Sequence, residues 1–149
     1  MKIYLATDHA GFELKNQIAM YLKTKGYDVE DCGALTMDSA DDYPDFIKIA
    51  AKKVADNLGS FGIVFGKSGA GECIVANKIK GIRSFLAVNA KNVQLAREHN
   101  DANVMSVGSD LISFSELPSL LELFLKTPFS NEERHSRRIE KIKTIENNE

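Results

Sequence analysis

The chain has 149 residues, of which 44% are hydrophobic and 27% are charged, a composition typical of a folded globular protein. Its 19 basic and 21 acidic residues give a net charge of −2, so no overall positive field exists to attract nucleic acid or an acidic membrane surface. No stretch is apolar for long enough to span a bilayer, and the spacing of Cys32 and Cys73 indicates no disulfide framework. We therefore expect a single cytoplasmic domain, residues 1–149, with no nucleic-acid or membrane partner.

The hydrophobic pattern predicts strands that alternate with helices along the chain. Strands are expected at 3–6, 27–31, 61–65, 82–88 and 103–107. Helices are expected to follow Gly11, Pro44, the glycine-rich turn 66–71, Asn89, Ser115 and Ser130, with Ser130 and Glu133 forming a capping box for the last one. This alternation predicts a doubly wound three-layer α/β/α domain with a five-stranded parallel sheet and an extra C-terminal helix. The isoleucine stripe of that helix would pack on the domain or on a second subunit.

A glycine-rich turn, Gly-Lys-Ser-Gly-Ala-Gly at 66–71, separates the third predicted strand from the next helix. Backbone N–H groups at such a turn, together with the positive end of the helix dipole, form a site for an anion. Glu72 lies in the first turn of that helix, where a carboxylate is either a helix-stabilising charge or a catalytic base. The turn is not a nucleotide motif, because a P-loop needs glycine where Phe61 stands and the third glycine of a dinucleotide fingerprint falls on Ile74. No residue spacing predicts a metal site.

Three polar segments follow the first three predicted strands. They are Asp8 with His9, the segment 41–43 and the segment 68–72. Because ligands bind outside the carboxyl ends of the strands in such folds, we expect these segments to form one site. The acidic side chains of the segment 38–42, Asp41 among them, are interpreted as an ordinary polar loop.

His99 and Asn100 do not fit this arrangement. They lie between a predicted helix and the strand that follows it, at the opposite edge of the sheet. Within one subunit they cannot reach the predicted site. They are either irrelevant to it or serve the site of a neighbouring subunit.

Six stretches of the chain together resemble one family. They are DHAGFELK at 8–15, DCGAL at 31–35, DDYPDF at 41–46, GKSGAGECIVANK at 66–78, REHNDANV at 97–104 and RHSRRIE at 134–140. In order and spacing they resemble the type B ribose-5-phosphate isomerases and the related galactose-6-phosphate isomerases, the ribose/galactose isomerase family. The resemblance implies a Rossmann-like sheet, no metal or organic cofactor, and a homodimer with active sites shared between subunits; pairing of dimers into a tetramer stays open.

The resemblance also implies which residue moves the proton. One branch of the family uses a cysteine at the end of the third strand, and the other uses a glutamate at the start of the following helix. The cysteine position is Gly66 in this chain and the glutamate position is Glu72, so the chain is similar to the glutamate branch. Glu72 would then move a proton between C1 and C2 of the sugar through a cis-enediolate. His99 of the partner subunit, assisted by Asp8, would open the sugar ring.

The remaining residues that the resemblance assigns to the site bind the substrate. Backbone N–H groups of the turn would stabilise the enediolate oxygen, a histidine and two arginines would bind the phosphate, and an asparagine and a tyrosine would contact the sugar. In this chain these are Ser68, Gly69, Ala70 and Gly71 for the oxygen, His9, Arg134 and Arg138 for the phosphate, and Asn100 and Tyr43 for the sugar. The family commonly has an arginine after the fifth strand where this chain has Asp110, so either phosphate binding is weaker or Lys67 compensates for the loss.

The leading prediction is an isomerase of the pentose phosphate pathway that interconverts ribose 5-phosphate and ribulose 5-phosphate. An isomerase of a six-carbon sugar phosphate, such as galactose 6-phosphate or allose 6-phosphate, is the alternative within the family. A non-catalytic regulator that binds phosphosugars and a thiol enzyme that uses Cys73 represent other classes. Cys73 is one residue away from the predicted base and is interpreted as a small buried helix residue.

Overall fold

A computed structural model describes residues 1–149 and contains a five-stranded sheet in which every pair of neighbouring strands is parallel. The strands are β1 (Lys2–Thr7), β2 (Asp28–Asp31), β3 (Phe61–Gly66), β4 (Ser84–Leu86) and β5 (Val104–Gly108), in the spatial order β2-β1-β3-β5-β4. The helices are α1 (Phe12–Thr24), α2 (Tyr43–Asp56), α3 (Ala70–Asn77), α4 (Ala90–Asn100), α5 (Leu117–Lys126) and α6 (Glu133–Asn147). A helix connects each strand to the next, which confirms the predicted Rossmann-like α/β/α fold.

The sheet buries both faces, as the continuous apolar runs of its strands require. Alternate residues of β1 point to opposite sides: Ile3 and Leu5 pack with α1, α4 and α5, whereas Tyr4 and Ala6 pack with α2 and α3. Ile139 of α6 is buried, but the outer part of its isoleucine stripe is exposed. None of the helices is long and apolar enough to cross a membrane.

The edge strand β4 is shorter than the predicted range 82–88. Its first residue, Ser84, pairs with the side chain of Asn77, which accepts from Ser84 N–H (2.8 Å) and donates to Ser84 O (2.9 Å). At this end of β4, a side chain therefore takes the place of a neighbouring strand. The predicted cap of α4 is confirmed, because Asn89 and Asn92 each accept a hydrogen bond from the other's backbone N–H (2.9 and 3.1 Å).

The predicted starts of the last two helices are wrong. Glu116, rather than the preceding serine, is the N-cap of α5. The capping box of Ser130 and Glu133 does not form, because α6 begins at Glu133 and its N-cap, Glu132, makes no side-chain cap bond. Ser130 Oγ lies instead 2.7 Å from Nδ1 of His135 and accepts from Glu132 N–H (3.2 Å). Since His135 is buried, its ring nitrogen needs this hydroxyl as a partner.

Candidate active site

The direction of winding changes between β1 and β3. In the sheet, β2 lies on one side of β1, whereas β5 and β4 lie on the far side of β3. The carboxyl ends of β1 and β3 therefore border a crevice. Thr7, at the end of β1, donates its hydroxyl to Phe65 O at the end of β3 (3.0 Å). Asp8 and the turn 67–71 follow these two ends directly. Two predicted site segments therefore meet where folds of this class bind ligands.

The turn after β3 is anchored through its carbonyl oxygens. Ser109 N–H donates to Gly66 O (2.8 Å), and the buried hydroxyl of Ser106 donates to Gly69 O (2.6 Å). Gly69 has a φ of 79°, a conformation that side chains other than glycine rarely adopt, and a Cβ there would lie 2.6 Å from Leu86 Cδ1. Two carbonyls of the turn are therefore bonded to Ser106 in β5 and to Ser109 just after it, and the N–H groups of the turn take no part in this anchoring.

These N–H groups are mostly without acceptors. Those of Ser68, Gly69 and Gly71 donate to no oxygen of the chain, and Ala70 N–H reaches only Ser68 Oγ at 3.3 Å. The turn also lies at the N-terminus of α3, where the helix dipole adds positive potential. The turn can therefore stabilise a negatively charged oxygen.

Glu72 is 4% exposed and lies in the first turn of α3. Burial raises the pKa of its carboxyl, the backbone N–H of Glu72 opposes this shift, and the charge of Asp8 adds to it. A Cβ built on Gly66 would collide with the carboxylate of Glu72. The carboxylate therefore occupies the volume that any side chain at residue 66 would need. This explains in physical terms why a glycine stands at the end of β3.

Two residues next to the turn, Tyr43 and Cys73, are candidates for the site. Tyr43 packs so closely on it that a Cβ at Gly71 would lie 2.6 Å from the Tyr43 Cζ atom, so the phenol lies against the turn. Cys73 is half-buried rather than buried, and burial raises the pKa of its thiol. A raised pKa disfavours the thiolate that a nucleophilic cysteine needs, which weighs against a thiol enzyme.

His9 is paired with a carboxylate that sequence reasoning assigned to an ordinary loop. Asp41 Oδ1 accepts from both the backbone N–H of His9 (3.0 Å) and its ring Nδ1 (2.6 Å), and the Asp41 side chain is only 7% exposed. This bond is the main reason why the pKa of His9 is raised, with the charge of Asp8 contributing as well. The interpretation of Asp41 as a plain loop residue is wrong. Its position after β2, at the same edge as His9, was the signal that could have identified it.

Asp8, His9 and Asp41 bring their potential metal-ligand atoms within 4.8 Å of one another. Hydrogen bonds account for this proximity, since Asp41 Oδ1 accepts from His9 and Asp8 Oδ1 accepts from Ala10 N–H (3.0 Å). The second bond makes Asp8 the cap of the short helical turn that leads into α1. The cluster therefore fits a histidine oriented by a carboxylate, and it does not by itself indicate a metal.

Four predicted site residues lie at the amino-terminal ends of the strands, on the side of the sheet opposite the crevice. His99 and Asn100 form the last turn of α4, which leads into the start of β5, and Arg134 and Arg138 lie on α6 beside them. The rings of His99 and His135 stack with centroids 4.2 Å apart. Sequence reasoning missed His135, although its spacing of four from Ile139 placed both on the inner face of α6.

The arginines of α6 differ in their partners. Arg137 pairs with Glu133 (2.6 Å) and Arg134 pairs with Glu132 (2.9 Å), both on the exposed surface. Arg138 makes no hydrogen bond or ion pair within the chain. Its guanidinium is therefore free to bind an anion.

Asp110 lies against the glycine-rich turn. Its backbone N–H donates to Lys67 O (3.0 Å), and the side chains of both residues are exposed. An acidic residue is therefore bonded through its backbone to the segment that carries Lys67.

The fold and this geometry define a doubly wound α/β protein with a glycine-rich turn and a buried carboxylate at its switch point. The sequence profile of the ribose/galactose isomerase family matches residues 3–142, and the chain belongs to this family.

The similarity extends over almost the full length of individual relatives. The ribose-5-phosphate isomerase B of Mycobacterium tuberculosis is 45% identical over 140 residues, which cover 94% of this chain and 86% of that protein. The structure of the Mycoplasma genitalium ribose-5-phosphate isomerase B with bound ribulose-5-phosphate has a TM-score of 0.93 and 41% identity, covering 98% of this chain and 96% of its own. The Clostridium thermocellum ribose-5-phosphate isomerase B has a TM-score of 0.94 and 37% identity, covering 99% of both chains. The resemblance predicted from the sequence is confirmed.

Proposed function

We propose that this protein is an isomerase that interconverts ribose 5-phosphate and ribulose 5-phosphate. The observation that carries this proposal is the buried carboxylate of Glu72 beside the free N–H groups of the turn. Similarity to enzymes named ribose-5-phosphate isomerase B, one of them with ribulose-5-phosphate bound, supports the choice of substrate.

Glu72 acts as the base in the central step. It removes the proton from C2 of the open-chain aldose, the electron pair forms the C1–C2 double bond, and the aldehyde oxygen becomes an enediolate oxygen. The hydroxyl proton moves from O2 to O1, and Glu72 returns its proton to C1, which gives the ketose. The N–H groups of Ser68 to Gly71 stabilise the enediolate charge, and one such donor contributes roughly 2.7–4 kcal/mol to lowering the barrier. The pKa of Glu72, raised by burial, makes its carboxylate a stronger base than an exposed one.

A complete site needs two subunits. His99, Asn100, Arg134 and Arg138 lie at the sheet edge opposite Glu72, so one subunit does not bring them to its own turn. In a homodimer, the partner subunit's His99 opens the sugar ring, and the partner's Asn100 binds a sugar hydroxyl. The phosphate is bound by His9 of one subunit together with Arg134 of the partner subunit and Arg138 of the partner subunit. A protonated His9, favoured by its bond to Asp41, suits a phosphate.

A six-carbon sugar phosphate is the second candidate substrate. The family that the chain belongs to includes galactose isomerases, and the carboxylate of Asp110 beside the turn changes the charge of the site at a position where the family commonly has arginine. Comparing turnover of ribose 5-phosphate, allose 6-phosphate and galactose 6-phosphate decides between them.

The proposed roles of Glu72 and His99 can be tested with two reactions, of which only one requires ring opening. Ribulose 5-phosphate is acyclic, because its O5 carries the phosphate, so exchange of its C1 hydrogen with deuterated water requires the base but no ring opening. We expect Glu72→Gln to lose both this exchange and turnover of ribose 5-phosphate. His99→Ala should lose turnover of the cyclic aldose but keep the exchange, and Cys73→Ser should keep both. Exchange that survives in Glu72→Gln would contradict the assignment of the base.

A further inference from the structure

The turn that follows His99 and Asn100 is held in an uncommon conformation. Asp101 has φ 44° and ψ 46°, in the left-handed region, and ends α4 with its N–H bonded to Arg97 O (3.1 Å). Aspartate tolerates this region better than most residues, but glycine is the usual choice at such a helix end. What stabilises this conformation is therefore found in the contacts of the Asp101 side chain.

Two arginines converge on Asp101 from different parts of the chain. Arg97 lies one helical turn earlier, is 8% exposed, and donates from Nη1 to Asp101 Oδ1 (2.8 Å) and to Ala102 O (2.7 Å). Arg83, which precedes β4, donates from Nη2 to Asp101 Oδ2 (3.2 Å) and to Asp101 O (2.8 Å). The carboxylate thus bridges two guanidinium groups, and each of these also binds a backbone carbonyl at the end of α4.

The guanidinium groups of Arg83 and Arg97 each make a further bond to a backbone carbonyl. Arg83 Nε donates to Asn100 O (2.8 Å), and Arg97 Nε donates to Thr127 O in the segment after α5 (3.1 Å). Arg97 is held in turn by the ring of Phe61, 5.0 Å from its guanidinium carbon. The end of α4 is thereby tied to the start of β3, to the segment before β4 and to the segment after α5.

We propose that Asp101, by bridging Arg83 and Arg97, is a positioning residue that holds His99 in the geometry required for ring opening. This inference rests on the proposed function. A histidine on the last turn of a helix otherwise frays with that turn, and small displacements of a catalytic group cost large factors in rate. Asp101 does not touch the substrate; it acts through the backbone on which His99 stands.

The test uses Asp101→Gly in the full-length protein. Glycine suits the left-handed conformation, so the fold should persist while the bridge between the two arginines is lost. We expect kcat for ribose 5-phosphate to fall on the order of 10- to 100-fold. Exchange of the C1 hydrogen of ribulose 5-phosphate, which needs Glu72 but no ring opening, should fall by no more than about threefold. Asp101→Asn, which keeps an acceptor oxygen, should recover part of the lost kcat.

The matched control is Glu122→Gln, which removes another ion pair between residues four apart, Glu122 with Lys126 (3.0 Å), whose side chains are both exposed and make no contact with Asp101. It should leave both reactions at wild-type rates. Unchanged kcat in Asp101→Gly, or an equal loss of turnover and exchange, overturns the proposal. If Asp101→Gly does not fold, a wild-type ratio of the two rates in Asp101→Asn overturns it equally. Wild-type protein that fails to convert ribose 5-phosphate contradicts the proposed function instead.

Discussion

At the residue scale, the proposed role of Glu72 as a general base conflicts with the stability of the fold. A general base must be ionised, yet this carboxylate is almost completely buried, and burial raises its pKa. A carboxyl whose pKa is higher in the folded state than in the unfolded state stabilises the fold while it is protonated. That contribution is fully present below the unfolded pKa of about 4.3 and is lost as the pH rises through the higher folded pKa. At neutral pH the folded protein therefore carries the cost of a buried charge.

We predict that Glu72→Gln is more stable than the wild type at pH 7 and that this difference shrinks as the pH falls towards 4. The same variant should lose at least about 100-fold in kcat. In the wild type, activity should fall on acidification through a pKa above the ordinary glutamate value. Urea midpoints at the two pH values, with the exposed Glu122→Gln as control, measure the effect. A Glu72→Gln variant that is less stable than wild type at pH 7 would contradict the conclusion that the buried charge of Glu72 destabilises the fold.

Gly66 and Glu72 form a second residue-scale pair, since a Cβ at residue 66 and the Glu72 carboxylate compete for one volume. We predict that Gly66→Ala displaces the carboxylate and lowers kcat on the order of 100-fold. The control is Gly62→Ala at the other end of β3, where a Cβ would lie 3.0 Å from Val104 Cγ2 and away from the site. That variant should lose stability but keep its C1 exchange. Wild-type exchange in Gly66→Ala would show that the carboxylate works from another position.

At the scale of elements, the sequence predicted most accurately the parts that local pattern determines. The central strands β1, β3 and β5 are long apolar runs, and the turn 66–71 has the glycines that its conformation needs. The capping box at Ser130 does not form because α6 begins later, at Glu133, and the Ser130 hydroxyl pairs with His135. The role of Asp41 is missed for a different reason, since its partner His9 is 32 positions away. Contacts between distant residues leave little trace in local spacing.

Helix α6 presents two neighbouring arginines in different settings. Arg137 is paired with Glu133, while Arg138 has no partner in the chain and is assigned to the phosphate. We predict that Arg138→Ala raises KM for the phosphorylated substrate by about 10- to 100-fold, because a charge-assisted bond to phosphate is lost. Arg137→Ala, which removes the same charge one residue earlier, should change KM by less than about twofold. Steady-state kinetics on the two variants measure this, and equal effects would remove Arg138 from the phosphate site.

At the scale of the whole molecule, the proposed site is divided by the sheet. Glu72, His9 and the turn lie at the carboxyl ends of the strands, whereas His99 and the α6 arginines lie at the opposite edge. The exposed outer isoleucines of α6, Ile142 and Ile145, leave apolar surface on that side. Each subunit therefore holds two complementary halves, and the proposed homodimer joins half of one subunit to half of its partner.

Subunit mixing tests this arrangement directly. Glu72→Gln and His99→Ala subunits should each be inactive towards ribose 5-phosphate when alone. After exchange at equal amounts, half of the dimers are mixed and one of the two sites in each of these has both Glu72 and His99. We therefore predict recovery of about a quarter of the wild-type activity. Mass spectrometry of intact dimers confirms the exchange, and mixing either variant with itself is the control. If His99 served its own subunit, no site in a mixed dimer would contain both residues, so confirmed exchange without activity would exclude the shared site.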